Sequence, residues 1–348
     1  MTRGSTLDDR ERAVLRSIVD LYVGTAQPVA SERVVEETRL GLSSATIRGV
    51  MSRMEERGLL RQPHTSAGRV PTDRGYRVYV DELMGPVSIG RREQEELLFG
   101  VERLVNRPDQ LPGSMSALLA NVSGLAGFAS PPRIDRGIYL SLHADLVRDG
   151  RVAMVLVLDS GFARSALCPA EEGIDEKSLA SGVEELNRRF RGRAVEEIRD
   201  FLFGPDWEEN LPALRVMRLF RKAAEELLET GRMARITLSG VESLLLEPEF
   251  RSSDELVRLS ERIEGGSGLP DPEKDALADG GVALRIGAEN DEEELTPFSI
   301  LAAEYRFGRF TGIMGMIGPT RMRYGRGAAI VDFARRIVEQ RIVPFVEG

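Results

Sequence analysis

The stretch from Ser31 to Tyr76 leaves few folds open. Ile47, Val50, Met51 and Met54 recur at helical spacing behind Ser43 and Ser44. Either serine can cap a helix that runs to Arg57 and stops at Gly58. At 100° per residue the four apolar side chains form one stripe. Ala45, Thr46, Arg48, Gly49, Ser52 and Arg53 fall on the opposite arc, which carries no acid and no large apolar group. Just upstream, Ser31 caps a shorter helix bearing Val34 and Val35, and Gly41 breaks it. Two helices joined by a tight glycine turn make a helix-turn-helix. Small residues on the exposed arc let the second helix sit deep in a major groove, where Arg48 can pair with guanine or a phosphate. Ser43 and Ser44, together with the amides of the helix start, suit a phosphate oxygen.

The residues that follow sharpen this reading. Leu59–Gln62 is predicted to be a strand, Pro63–Gly68 a polar turn, and Arg69–Pro71 the start of a returning strand. Two short strands and a tip behind a recognition helix constitute a wing. His64, Thr65, Ser66 and Arg69 on it are placed to reach phosphate or the minor groove. Thr72 then caps a last helix with Tyr76, Tyr79, Val80 and Leu83 on one face, a pattern for core or dimer contact rather than base stacking. At the front, Asp8 and Glu11 have capping-box spacing. Leu15, Ile18, Val19 and Tyr22 carry a first helix that Gly24 is expected to end.

The charge agrees once it is divided. The whole 348-residue chain is at −9, with 47 basic and 56 acidic residues. Positions 1–84 hold 13 arginines against 12 acids, and positions 42–77 hold 7 arginines against 3 acids. Positive charge is therefore gathered where a polyanion would be met. One cysteine, Cys168, excludes an internal disulfide, and His64 and His143 are too few for a histidine-rich metal site. The sequence offers no nucleophile–base pair, metal cluster or phosphate loop, so neither an enzyme nor a cofactor is expected. Glycines 308, 312, 315 and 318 lack the spacing of a dinucleotide loop, and close strand packing accounts for them better. Asp291–Glu294 reads as a solvated turn. With no apolar leader and no long apolar run, a cytoplasmic location is the expectation.

Gly85-Pro86 marks the first boundary. A helix is expected over roughly 90–105, a loop over 106–113, and another helix from Ser116 to Gly124. Ile138–Leu142, Val152–Leu158 and Ala163–Leu167 read as strands, with Asp149-Gly150 a turn between the first two. From Asp175 to Leu228 the pattern is helical, as for an insertion between sheet segments; Ile236–Leu238 returns to strand. Gly265–Asp279 is expected to be a mobile loop. Strands at Val282–Ile286, Ser299–Tyr305 and Gly312–Ile317 precede a closing helix near Ala328–Gln340.

Leu42–Arg48 (LSSATIR), Glu56–Leu60 (ERGLL) and Gln62–Tyr76 (QPHTSAGRVPTDRGY) closely resemble the HrcA family of heat-inducible transcription repressors. Gly287–Asn290 (GAEN) and Gly312–Tyr324 (GIMGMIGPTRMRY) resemble that family's C-terminal signature. The resemblance implies an α+β chain with four segments. These are a winged helix-turn-helix over 1–84, a GAF-like domain over 88–170 and 233–348, and a mainly helical dimerisation domain inserted at 171–232. It implies repression of chaperone operons by a homodimer bound to double-stranded DNA carrying the CIRCE inverted repeat. It also implies that the GroEL chaperonin is a feedback partner that keeps the repressor active until heat stress. A regulator gated by a small ligand, with the GAF-like domain as sensor, is the alternative. The chain departs from the family at Gly49, where asparagine is typical, and at Arg323, where an acid is usual.

Overall fold

The computed structural model describes residues 7–37, 41–64, 68–104, 110–132, 137–147, 149–159, 163–204, 214–228, 236–250, 253–265, 268–271, 275–277, 281–307 and 310–341. Thr65 and Ser66 lie outside them, as do positions 106–109, 266–267, 272–274 and 278–279 of the two expected loops. The chain is mixed α and β, with helices and sheets in separate stretches, and divides into two compact units. One comprises Met1–Ala129, Ile236–Glu304 and Met314–Arg335; the other comprises Ser130–Arg235, Tyr305–Ile313 and Arg336–Gly348.

The first unit begins with three helices, α1 (Asp9–Thr25), α2 (Ser31–Glu37) and α3 (Ser44–Glu56). Asp8 and Glu11 close the capping box on α1. That helix runs past Gly24, and its left-handed cap is Ala26, whose N–H donates to the Tyr22 carbonyl. Val14, Leu15, Ile18 and Val19 of α1 meet Val34, Ile47, Val50 and Met54 in one core. Strands β1 (Leu60–Arg61) and β2 (Val70–Pro71) pair antiparallel, and a bridge between Val29 and Arg69 ties β2 to the loop before α2. Helix α4 (Asp73–Val78) follows, capped by Thr72 and continued by a wider turn over Tyr79–Leu83. Gly75 lets α4 lie against the Leu59 carbonyl, a space that a Cβ would fill.

After α5 (Arg91–Glu102), α6 spans Leu111–Ser123, five residues earlier than the expected start at Ser116. Pro112 does not prevent this, because proline in the first turn loses no intrahelical hydrogen bond. Helix α6 packs on β3 (Ala126–Ala129), where Gly127 admits the Ser116 carbonyl.

In the second unit β4 (Tyr139–Val147), β5 (Arg151–Leu158) and β6 (Ala163–Pro169) form a three-stranded antiparallel sheet of their own. Asp149 and Gly150 are both left-handed, as a tight hairpin turn requires. Helices α7 (Glu176–Phe190), α8 (Val195–Phe203) and α9 (Leu214–Leu227) belong to the same unit, with α7 and α9 against the sheet. Asn187 of α7 fixes the register: its Oδ1 accepts from Leu142 N at 2.7 Å and Tyr139 Oη at 2.8 Å, and its Nδ2 donates to Leu142 O at 2.9 Å. Phe190 rests against Tyr139, Phe201 and Phe220. Strands and helices thus share one unit, and the expected seam between 170 and 171 falls inside it. One sheet face leaves Val147, Val155 and Leu167 at 38%, 37% and 48% exposure.

The chain then adds β7 (Thr237–Ser239), α10 (Ser253–Glu264), β8 (Ala283–Ile286), β9 (Phe298–Phe307), β10 (Phe310–Pro319) and α11 (Tyr324–Arg341). A five-stranded sheet forms in the order β7-β3-β10-β9-β8. The glycines in β10 serve close packing. A Cβ at Gly312 would overlap the Tyr305 ring, and one at Gly315 the Leu301 carbonyl. Among the described residues no helix is long and apolar enough to cross a membrane.

Candidate nucleic-acid interface

Helix α3 sorts its residues by face. Ile47, Val50, Met51 and Met54 are buried, while Ala45, Thr46, Arg48, Gly49 and Arg53 are exposed and Ser52 is half-buried. The buried stripe locks the helix onto α1 and α2, which leaves the opposite arc facing out. Ser43 caps the helix: its Oγ accepts from Thr46 N at 3.2 Å and lies 2.9 Å from Thr46 Oγ1. Gly49 is bare, with no atom within 4 Å of where a Cβ would stand.

Ser44 and Arg48 are drawn together by a residue that the helical pattern did not single out. Glu32, at the start of α2, accepts from Ser44 Oγ at 2.8 Å, from Ser31 Oγ at 3.2 Å and from Arg48 Nη2 at 2.8 Å. Backbone hydrogen bonding at Glu32 itself, then the Ser44 and Ser31 hydroxyls and the Arg48 charge, hold its carboxyl below the usual glutamate value. Two hydroxyls and a guanidinium around one oxyanion are also a donor set for a phosphate oxygen. The Arg48–Glu32 pair is well exposed, at 67% and 56%, so it is readily exchanged for another anion. The local signal for Glu32 is its position in the first turn of α2, where Ser31, expected as the cap, is instead the first helical residue.

The remaining candidates are less free. Arg69 turns its Nε to Glu55 at 2.8 Å and is only 17% exposed, so its side chain braces β2 against α3. Arg53 lies 3.5 Å from Glu11, which Arg57 also holds at 3.0 Å. His64 is exposed at the edge of the β1–β2 turn. Arg61 and Arg74 add exposed positive charge around the same elements.

Residues 109–327, more than half of the chain, match the family model for the HrcA protein C-terminal domain. A heat-inducible transcription repressor HrcA from Ruminiclostridium cellulolyticum is 31% identical over 346 residues, covering 98% of this chain and 99% of that protein. The chain belongs to the HrcA family. The HrcA proteins of Desulfitobacterium hafniense and Symbiobacterium thermophilum are each 32% identical, covering 96% and 94% of this chain and 97% and 96% of theirs. A crystal structure of a hypothetical protein at 2.2 Å resolution resembles the fold, with a TM-score of 0.60 at 23% identity, over 98% of this chain and 100% of that one. Within this HrcA chain, Gly287–Asn290 lies directly against α4, and Arg323 is exposed just ahead of α11.

Proposed function

We propose that this protein is a dimeric repressor of heat-shock chaperone operons that acts in the cytoplasm. It binds the CIRCE inverted repeat through a winged helix-turn-helix. The observation that carries the reading is the outward arc of α3, acid-free and flanked by the β1–β2 ribbon, with Ser44 and Arg48 already gathered on an oxyanion. Helix α3 is the recognition helix, α2 crosses the phosphate backbone, and the β1–β2 turn with His64, Thr65 and Ser66 is the wing. On binding, a phosphate displaces Glu32 from Ser44, and Arg48 turns to a base edge. Gly49 presents no amide to read adenine, which leaves that step of the groove to its neighbours.

The five-stranded sheet with its helices is read as the GAF-like domain and the second unit as the dimerisation domain. The exposed Val147, Val155 and Leu167 on the outer face of β4, β5 and β6 support a homodimer, because covering them removes apolar surface from water. The GroEL chaperonin keeps the repressor active, and heat withdraws that activity. The likeness to the HrcA relatives over almost the whole chain supports this regulatory logic.

The test is a gel shift at moderate salt with a CIRCE-type duplex and a scrambled one. Preference for the inverted repeat is expected, with a steep fall as salt rises. Equal binding to both duplexes would reject the reading. Arg48→Ala is expected to cost sequence discrimination by about 1–3 kcal/mol. Chaperonin added after a heat step is expected to restore the shift, and a shift that survives heat without chaperonin would overturn that part.

A further inference from the structure

The segment Gly287–Glu289 grips the helix that follows the β1–β2 ribbon. Its shape is set from inside by Asn290, a buried side chain whose Nδ2 donates to the carbonyls of Gly287, Leu295 and Phe298 at 2.9–3.0 Å. Glu289 Oε2 accepts from Ile286 N at 2.8 Å, and the segment also reaches α4. Ala288 N donates to Asp73 Oδ2 at 2.9 Å. Arg77 Nε donates to Glu289 Oε1 at 2.8 Å, and its Nη2 donates to Glu289 Oε2 and, at 2.9 Å, to the Leu284 carbonyl. Gly287 is left-handed, and a Cβ there would overlap the Asp73 carboxylate. Beneath these contacts Tyr76 stands edge-on to Tyr324 with ring centroids 5.7 Å apart.

This contact is directional as well as adhesive. A single half-exposed ion pair contributes little, but a two-pronged arginine–carboxylate pair flanked by one backbone donor, Ala288 N, and one backbone acceptor, the Leu284 carbonyl, admits one angle. That angle is passed on to α3. Thr72, the cap of α4, receives at its Oγ1 the Gly75 amide and donates to the Gly58 carbonyl at 2.7 Å; Arg74 donates to the Arg57 carbonyl at 3.2 Å. Arg57 is the C-cap of α3, and Gly58 follows it.

We propose that Asp73, Arg77 and Glu289 are positioning residues that fix the angle at which α3 is presented, and thereby the half-site separation the protein accepts. The inference rests on the reading of α3 as a recognition helix. A dimer bound to two half-sites gains avidity of about 10²–10⁴ only if its geometry spans them. The angle of each reading helix is part of that geometry.

Two measurements on the full chain test it. In the first, gel shifts compare the inverted repeat with versions whose half-sites are moved apart by about 5 bp, half a helical turn. The unaltered protein is expected to prefer one spacing. Glu289→Ala and Arg77→Ala are each expected to flatten that preference by about tenfold or more, while affinity for a single half-site is kept. Their combination should be no worse than either alone, as for residues acting as a unit. Glu289→Gln keeps one acceptor oxygen for Arg77 and should recover part of the preference. In the second, spin labels at Glu56→Cys on α3 and Arg258→Cys on α10, in a Cys168→Ser background, report the angle without DNA. A narrow distance distribution should broaden in Glu289→Ala. An unchanged distribution and an unchanged spacing preference would overturn the proposal, as would loss of half-site binding in step with spacing, which marks a merely structural role. If the unaltered protein favours no duplex, the DNA reading fails, and the distance distributions still judge the clasp.

Discussion

At the end of α1, Ala26 takes a φ of 54°, in the left-handed region that glycine occupies without strain. Two residues earlier Gly24 sits inside the helix with open space where a Cβ would be. Gly24→Ala together with Ala26→Gly is therefore expected to stabilise the protein by about 1–2 kcal/mol, read as a higher urea midpoint at unchanged slope. Residues of this kind show what sequence makes legible. Caps are local, so Asp8 and Thr72 could be found from their neighbours in the chain, and Ser43 as one of two adjacent serines. The exposed arc of α3 followed from helical period alone. The partners of that arc did not. Arg48 meets Glu32 across 16 positions, Arg69 meets Glu55 across 14 and Arg77 meets Glu289 across 212. Periodicity says which way a side chain faces, never which residue from elsewhere will be waiting there. Arg69 shows the consequence: its expected phosphate contact competes with a brace to Glu55. Arg69→Ala is expected to lower both the melting temperature and the affinity for every duplex alike, whereas Arg48→Ala should leave the melting temperature close to that of the unaltered chain.

Among the elements, α4 depends most on one absent side chain. Gly75→Ala would drive a methyl group into the Leu59 carbonyl, backbone that has nowhere to retreat. A loss of about 1–3 kcal/mol is expected, measurable by denaturant titration, with β1 and α4 losing amide-exchange protection together. The strands of the second unit were visible as alternating apolar residues, and Tyr139–Pro169 does form three of them. Which sheet they join was not visible, because alternation marks a strand with one covered face without identifying the cover. Helices α7 and α9 supply it here. The early start of α6 has a different cause. Pro112 looks like a breaker in sequence, but in a first turn it is preorganised for the helix.

For the molecule as a whole, acid is the expected point of weakness. The carboxyls of Glu32, Glu93, Asp175 and Glu294 are all held below their usual values. Burial of Glu93 works against this, but the Gly90 amide and Arg326 outweigh it. Groups with lowered values in the folded state stabilise it fully above the unfolded values of about 4–4.5. That contribution is lost as pH falls through the lower folded values. Melting temperature should therefore decline below about pH 4, and a flat profile from pH 6 to 3 would contradict it. The five-stranded sheet has a consequence for how the chain is made. Strand β3 leaves the ribosome long before its neighbours, since Gly127 pairs with Ser239 on one side and Met316 on the other. Helix α6 can cover one face of β3 at once, but the strand's two hydrogen-bonding edges stay unpaired until β7 and then β10 have been synthesised. Neither unit can close early, because each is assembled from three separated stretches. A nascent chain with so late a closure is slow to fold and prone to aggregate. A repressor of this topology completes its core last, so conditions that disturb folding are expected to lower its yield of active molecules before they touch chains that close early.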